Sequence, residues 1–229
     1  MLEYSQYVLG DNPQKLVIFL HGYNGCAADH QYAINWLCES LQNSVLSMPE
    51  APEICDKNPD KKQWFGMLKY DADSKRSLPN TSVGDIFGIY ELAAAEIDSK
   101  AQMINAFIDA MQQKFMVDDA HTFLVGFSQG AMLTIYTSLT HSKPLGGAFA
   151  LSGLVAGKNL LQQKITARPP IYLFHGKEDL KVQYKTLATS EKWLQEQQVV
   201  TKTETYAGLA HKMCEAEMQK VAQIINNRA

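Results

Sequence analysis

Gly126-Phe127-Ser128-Gln129-Gly130 stands directly behind the apolar run Thr122-Phe123-Leu124-Val125. A buried strand that ends in Gly-x-Ser-x-Gly and opens into a helix makes a sharp, strained turn that lifts a serine hydroxyl beyond the end of a sheet. The positions two before and two after the serine come close together in such a turn. Side chains there would clash, and glycine also accepts unusual backbone angles. The helix that follows aims its N-terminal amides at the place where negative charge develops when the serine attacks a carbonyl. Ser128 is therefore the candidate nucleophile. The simpler alternative, a surface Gly-Ser turn, does not account for the strand before it and the helix after it.

A serine nucleophile needs a base and an acid, and both follow in the chain. Ile171-Tyr172-Leu173-Phe174-His175-Gly176 is a second apolar strand, and the loop behind it ends in Glu178-Asp179. Thr203-Glu204-Thr205-Tyr206 alternates as a strand, and its loop Ala207-Gly208-Leu209-Ala210 ends in His211. Both candidates lie just past the C-terminal ends of strands, the edge at which open parallel sheets place their sites. Asp179 is taken as the acid, with Glu178 as its rival, and His211 as the base. Among the other histidines, His30, His121 and His141 stand in polar helix or turn contexts and read as surface residues. His21 and His175 each precede a glycine at a strand end and read as braces for their loops through backbone hydrogen bonds.

A fourth element is a pair of backbone donors for the oxyanion. Lys15-Leu16-Val17-Ile18-Phe19-Leu20 is a short apolar strand ending in His21-Gly22-Tyr23-Asn24-Gly25. Such a loop supplies one amide, here that of Tyr23, and the residue after the nucleophile, Gln129, supplies the other.

Taken together, these stretches resemble the bacterial carboxylesterase and phospholipase group of the α/β-hydrolases that includes the acyl-protein thioesterases. The resemblance rests on Leu20-His21-Gly22, Pro49-Glu50-Ala51-Pro52, Trp64-Phe65, Gly126-Phe127-Ser128-Gln129-Gly130-Ala131, Leu151-Ser152-Gly153, His175-Gly176-x-x-Asp179-x-x-Val182 and Gly208-x-x-His211, in order across nearly the whole chain. It implies an α/β-hydrolase fold, Ser128, Asp179 and His211 as a triad, and Tyr23 and Gln129 as oxyanion donors. It also implies hydrolysis of carboxylic esters or thioesters with a linear acyl group, without metal or cofactor. Three positions depart from the family pattern. Tyr23-Asn24-Gly25 stands where a Leu-Gly-Asp type sequence is usual, Gly66 replaces the aspartate that usually follows the Trp-Phe pair, and Ala131 replaces a glycine. They lie near the expected acyl pocket and put substrate identity, not the chemistry, in question.

Composition fits this reading. A chain of 229 residues with 46% hydrophobic and 20% charged residues can bury a substantial core as one domain. A net charge of −3 gives no electrostatic basis for binding nucleic acid or an anionic membrane. The first residues contain Glu3 and no apolar core, so they do not read as a signal peptide, and no apolar run approaches ~18 residues. Cys26, Cys38, Cys55 and Cys214 lack C-x-x-C or metal-ligand spacing and fit a reducing compartment, which sets the expectation of a cytoplasmic enzyme. Cys26 and Cys214, near the oxyanion and base loops in sequence, read as small buried apolar residues.

Strand and helix patterns alternate, which predicts an α/β architecture with a mostly parallel central sheet and helices on both faces. The exception is residues 50–85, a long polar segment containing Pro52, Pro59 and Pro79, followed by one helix over 86–115. The stretch 53–95 reads as a cover over the site, its apolar residues forming the wall of an acyl pocket. Trp64 and Phe65, from the cover, and Leu180, beside Asp179, are the candidate substrate-binding residues. Alternatively, some of this surface serves a homodimer contact. Expected substrates are small esters or thioesters, acylated proteins or lysophospholipids. Other lipid-ester hydrolysis and a catalytically silent binding module are the alternative functions.

Overall fold

The computed structural model describes residues 2–228. In chain order its elements are β1 (Tyr4–Leu9), β2 (Lys15–Leu20), α1 (Gln31–Ser40), β3 (Ser44–Pro49), β4 (Glu53–Cys55), β5 (Asn58–Gln63), α2 (Val83–Leu92), α3 (Ala94–Phe115), β6 (Thr122–Phe127), α4 (Gln129–Thr140), β7 (Gly147–Leu151), α5 (Lys158–Gln162), β8 (Ile171–Gly176), α6 (Leu187–Glu196), β9 (Thr201–Tyr206) and α7 (Glu215–Asn226). Seven strands form one sheet in the order β1-β3-β2-β6-β7-β8-β9. Only β1 runs antiparallel, against β3, with Tyr4 opposite Pro49 and Leu9 opposite Ser44. The remaining neighbours pair in parallel.

The central strands are apolar throughout because both of their faces are covered. In β2, Leu16, Ile18 and Leu20 enter one core, whereas Val17 and Phe19 enter the other. β8 divides in the same way, Ile171 and Leu173 to one side and Tyr172 and Phe174 to the other. The first core is closed by α2 to α6, the second by α1 and α7. This is the period-2 geometry of a strand between two helical layers, and it is the doubly covered parallel sheet expected from the alternating pattern.

Three local expectations are corrected. Residues 50–85 are not all loop: β4 and β5 form a two-stranded antiparallel hairpin, and Lys62 of β5 bridges Gly25 of the loop after β2. The strand Asn58-Pro59-Asp60-Lys61-Lys62-Gln63 carries neither apolar alternation nor β-branched residues, so periodicity does not announce it. The helix over 86–115 is two helices that meet at the buried Ala93, and neither a glycine nor a proline marks the break. Finally, the half-buried Cys26 and Cys214 each stand at the N-cap of a helical segment.

Candidate active site

Because β2, β6, β8 and β9 are parallel neighbours or next neighbours, the loops behind them open at the same sheet edge. Ser128 follows β6 directly with φ of +57° and ψ of −115°, a backbone region costly for any side-chain-bearing residue. The surroundings hold it there. Its amide donates to Leu151 O at 2.9 Å, and its carbonyl accepts the Met132 amide at 3.1 Å. The flanking glycines are required by contact: a Cβ on Gly126 would lie 2.4 Å from Gly130 O, and one on Gly130 would lie 2.1 Å from Leu20 O. The elbow thus packs against the end of β2, where the loop of residues 21–25 begins.

His211 Nε2 lies 3.0 Å from Ser128 Oγ, and His211 Nδ1 lies 2.7 Å from Asp179 Oδ2. With Nδ1 donating to the carboxylate, Nε2 is the free acceptor for the serine hydroxyl. The Phe127 ring lies against the imidazole at 4.9 Å between centroids. Asp179 is 1% exposed, and its Oδ1 accepts the amides of Lys181 at 2.9 Å and Val182 at 3.0 Å. Burial alone would raise its pKa, but hydrogen bonds from His175 and His211 outweigh burial and hold the carboxyl below the usual carboxylate range. Glu178, the rival acid, is exposed. The approach of the acid and base loops depends on Gly176, where a Cβ would lie 2.1 Å from Leu209 O.

On the other side of Ser128 is the loop after β2. A Cβ on Gly22 would lie 3.4 Å from Ser128 Cβ. Tyr23 and Gln129 both border the cleft beside the serine. Gln129 is the first residue of α4, so its amide belongs to the group at a helix N-terminus that has no intrahelical acceptor. The side chain of Tyr23 donates its hydroxyl to Asp56, whose other oxygen accepts the amides of Met67 and Leu68, each at 2.8 Å. Gly66, where the family usually carries an aspartate, leaves room here: a Cβ at 66 would lie 3.5 Å from Asp56 Oδ2. The carboxylate of Asp56 therefore reaches the place that position 66 leaves without one.

The imidazoles of His21 and His175 brace loops through backbone bonds. The Ala51 amide donates to His21 Nε2 at 3.0 Å, His21 Nδ1 meets Gly22 O at 2.8 Å, and His175 Nε2 meets Val182 O at 2.8 Å. Two others differ from the sequence expectation. His141 is buried between Asn105 and Asp119. His30 borders the cleft, its Nε2 facing the Gly22 amide at 3.5 Å and its ring edge against Phe127. Burial, reinforced by His21, pushes its pKa down to about 4, so it is neutral near pH 7.

The cleft over Ser128 has a volume of about 570 Å³. Met67, Tyr90, Phe127, Met132 and Val182 supply its apolar wall. Trp64 and Phe65 do not line it: they are 1% and 0% exposed and belong to the core beneath the site. Trp64 Nε1 donates to His21 O at 2.9 Å, so Trp64 supports the loop after β2 from below. Leu180 is 66% exposed and also outside the cleft wall. Ile86 and Phe87 likewise enter the core, and only Met67 and Tyr90 of the cover's apolar group reach the cleft. A second groove, about 660 Å³, lies between the N-terminal segment and α3 and holds none of the serine-site residues.

The sequence profile of the phospholipase/carboxylesterase family matches residues 8–228. The chain belongs to that family. It is an ester-hydrolysing enzyme with the α/β-hydrolase fold. Among family relatives, acyl-protein thioesterase 1 of Kluyveromyces lactis is 30% identical over 93% of this chain and 91% of its own length. Acyl-protein thioesterase 1 of Candida albicans is 25% identical over 95% and 94%. The crystal structure of esterase PE8 superposes with a TM-score of 0.83 at 25% identity, covering 100% of this chain and 99% of that one. Arabidopsis thaliana SOBER1 shares the family fold with a TM-score of 0.75 at 21% identity, over 93% and 98% of the two chains.

Proposed function

We propose that Ser128, His211 and Asp179 form the catalytic triad of an enzyme that cleaves carboxylic esters or thioesters through an acyl-serine intermediate. The observation that carries this reading is the unbroken hydrogen-bonded series Asp179–His211–Ser128 at the floor of a cleft. His211 Nε2 takes the Ser128 proton as Oγ adds to the acyl carbon. The tetrahedral oxyanion is received by the amides of Tyr23 and Gln129. Asp179 keeps the imidazole in the Nδ1–H tautomer and stabilises its positive charge. His211 then gives the proton to the departing alcohol or thiol as the carbonyl re-forms. Water repeats the sequence on the acyl-serine, releasing the acid and restoring the serine hydroxyl.

The family relatives named acyl-protein thioesterase support an acylated protein or a thioester as substrate. The cleft wall of Met67, Tyr90, Met132 and Val182 supports an acyl group lying beside Ser128. The four cysteines are free, which supports action in a reducing compartment such as the cytoplasm. Among the described residues no helix is long and apolar enough to cross a membrane.

The test is hydrolysis of p-nitrophenyl esters from acetate to palmitate, beside acyl-CoA and lysophospholipid panels, with Ser128→Ala as control. The wild type turns over one of these classes, and Ser128→Ala loses several orders of magnitude in kcat with its fold retained. A variant with near-normal turnover would remove Ser128 from the mechanism. A folded wild type that neither hydrolyses any ester nor reacts with a fluorophosphonate probe would point to a silent binding module.

A further inference from the structure

The cleft has a chemical bias that the chain as a whole does not. The protein is net negative, at −3. Yet four cationic side chains, Lys57, Lys61, Arg76 and Lys181, border the cleft, against one carboxylate, Asp29. Two of the four are occupied: Lys61 pairs with Asp29 at 2.6 Å, and Arg76 pairs with the buried Asp71 at 2.5 Å. Lys57 and Lys181 have no carboxylate partner among the described residues. Asp56, next to Lys57 in the chain, has its carboxylate engaged by Tyr23, Met67 and Leu68.

These two lysines are held on one wall. Lys57 Nζ donates to Ser74 Oγ at 3.1 Å, and Ser77 Oγ donates to Lys181 O at 3.2 Å, so the turn around residues 74–77 joins them. Lys181 is also fixed to the acid loop, its amide donating to Asp179 Oδ1 at 2.9 Å. It therefore belongs to the side of Ser128 on which His211 stands, and His211 is the group that protonates the leaving atom. Both lysines are exposed at the rim of the cleft, where a concave wall focuses the field of unpaired charges more than a flat surface does.

We propose that Lys57 and Lys181 form an anion subsite for the leaving group, so that the preferred substrates are esters or thioesters whose alcohol or thiol carries a carboxylate or phosphate. This rests on the serine-hydrolase reading above and adds the substrate class to it. Arg76, held by Asp71, and Lys61, held by Asp29, frame the subsite without being free to pair with the ligand.

The experiment compares butyryl thioesters of N-acetylcysteamine, which is neutral, 3-mercaptopropionate, which adds a carboxylate, and coenzyme A, which adds phosphates. A fourth substrate, a succinyl thioester of N-acetylcysteamine, moves the charge to the acyl end. The expected result is a kcat/KM for at least one anionic thiol about tenfold above the neutral one, with the gap narrowing at about 0.5 M salt. Lys57→Ala/Lys181→Ala abolishes that ratio, Lys57→Arg/Lys181→Arg restores it, and Lys192→Ala, outside the cleft, leaves it in place. The carboxylate and phosphate arms identify which anion is read. Turnover of the neutral thioester with no preference for either anionic thiol, or a preference untouched by the alanine pair, would overturn the subsite. A larger gain for the succinyl substrate than for the anionic thiols would overturn its placement on the leaving-group side. Absence of turnover on all four would overturn the hydrolase reading itself, and the subsite with it.

Discussion

The side chain of Gln129 holds the backbone of Trp64: Gln129 Oε1 accepts the Trp64 amide at 2.8 Å, and its Nε2 donates to the next carbonyl, Phe65 O, at 2.7 Å. One residue thus offers its own amide to the cleft while its buried amide group closes the cover onto the elbow. Removing the side chain leaves a buried N–H and a buried C=O without partners. Gln129→Ala is expected to lower unfolding stability by about 1–3 kcal/mol, read from denaturant midpoints. Gln129→Glu keeps the acceptor and loses the donor, and places a charge beside Phe65 O. It should be at least as destabilising as the alanine variant near pH 7.

Asp179 is the member of the site whose role is most open to a conservative test. Asp179→Asn preserves an acceptor for the Lys181 and Val182 amides but presents an N–H to His211 Nδ1 or forces the wrong tautomer. The expected loss in kcat is about 10³–10⁴-fold, with little change in KM. The acid shift has a stability consequence as well. A carboxyl whose folded pKa is depressed contributes stability above its ordinary value near 3.8, and that contribution is lost as pH falls through the folded value. The wild-type protein therefore loses more stability below pH 4 than Asp179→Asn does, as measured by thermal unfolding.

Tyr23 and Asp56 connect the oxyanion loop to the cover. Tyr23→Phe keeps the backbone amide and removes only this tether. It should lower kcat by about tenfold, well short of the 10²–10³-fold expected for losing an oxyanion donor outright. Asp56→Ala removes the same tether and also frees the Met67 and Leu68 amides. Because both variants break one interaction, the double variant should fall short of the sum of the two losses. Simple additivity in kcat would show that the tether does not position the loop.

Glu217 is a buried carboxyl on α7, 0% exposed, with Oε2 accepting the Cys214 amide at 2.9 Å. Burial pushes its pKa up from 4.5 to about 7, with Glu204 adding to the rise while the Cys214 hydrogen bonds and His175 oppose it. The folded state then binds a proton that the unfolded chain releases near 4.5. Stability from this group is full below that value and declines as pH rises toward and through 7. Glu217→Gln should flatten that decline and be more stable than wild type at pH 8 by about 1–3 kcal/mol, a crossover visible in melting temperatures at pH 5 and pH 8.

Much of the fold is legible in local pattern. β2, β6 and β8 announce themselves as short apolar runs because both their faces are buried, and β9 by alternation. The elbow is legible because its glycines stand at a fixed spacing around the serine: Gly126 answers a contact with Gly130 four positions on, and Gly130 answers the end of β2 that any such turn packs against. The hairpin of β4 and β5 is not legible: its pairing with Gly25 comes from a partner far away in sequence, and its polar residues face solvent. Nor is the cleft wall. Trp64 and Phe65 look like ligand contacts because they are large and apolar in a polar segment, but the same property drives them under the site into the core. His30 looks like a surface residue for the opposite reason: its neighbours in sequence are polar, while its neighbours in space are Phe19 and Phe127.

By itself the sequence determined the strand and helix alternation, the strained serine turn and the order serine, acid, histidine, because each depends on residue type and spacing over a few positions. Only the tertiary structure decided which carboxylate reaches His211, that Asp56 ties the cover to the Tyr23 loop while Gln129 ties it to the elbow, and that unpaired lysines from two distant segments share one cleft wall. Those relations run through hydrogen bonds between residues 17 to 104 positions apart. They are fixed by how the loops pack at the sheet edge, and no local periodicity carries that information.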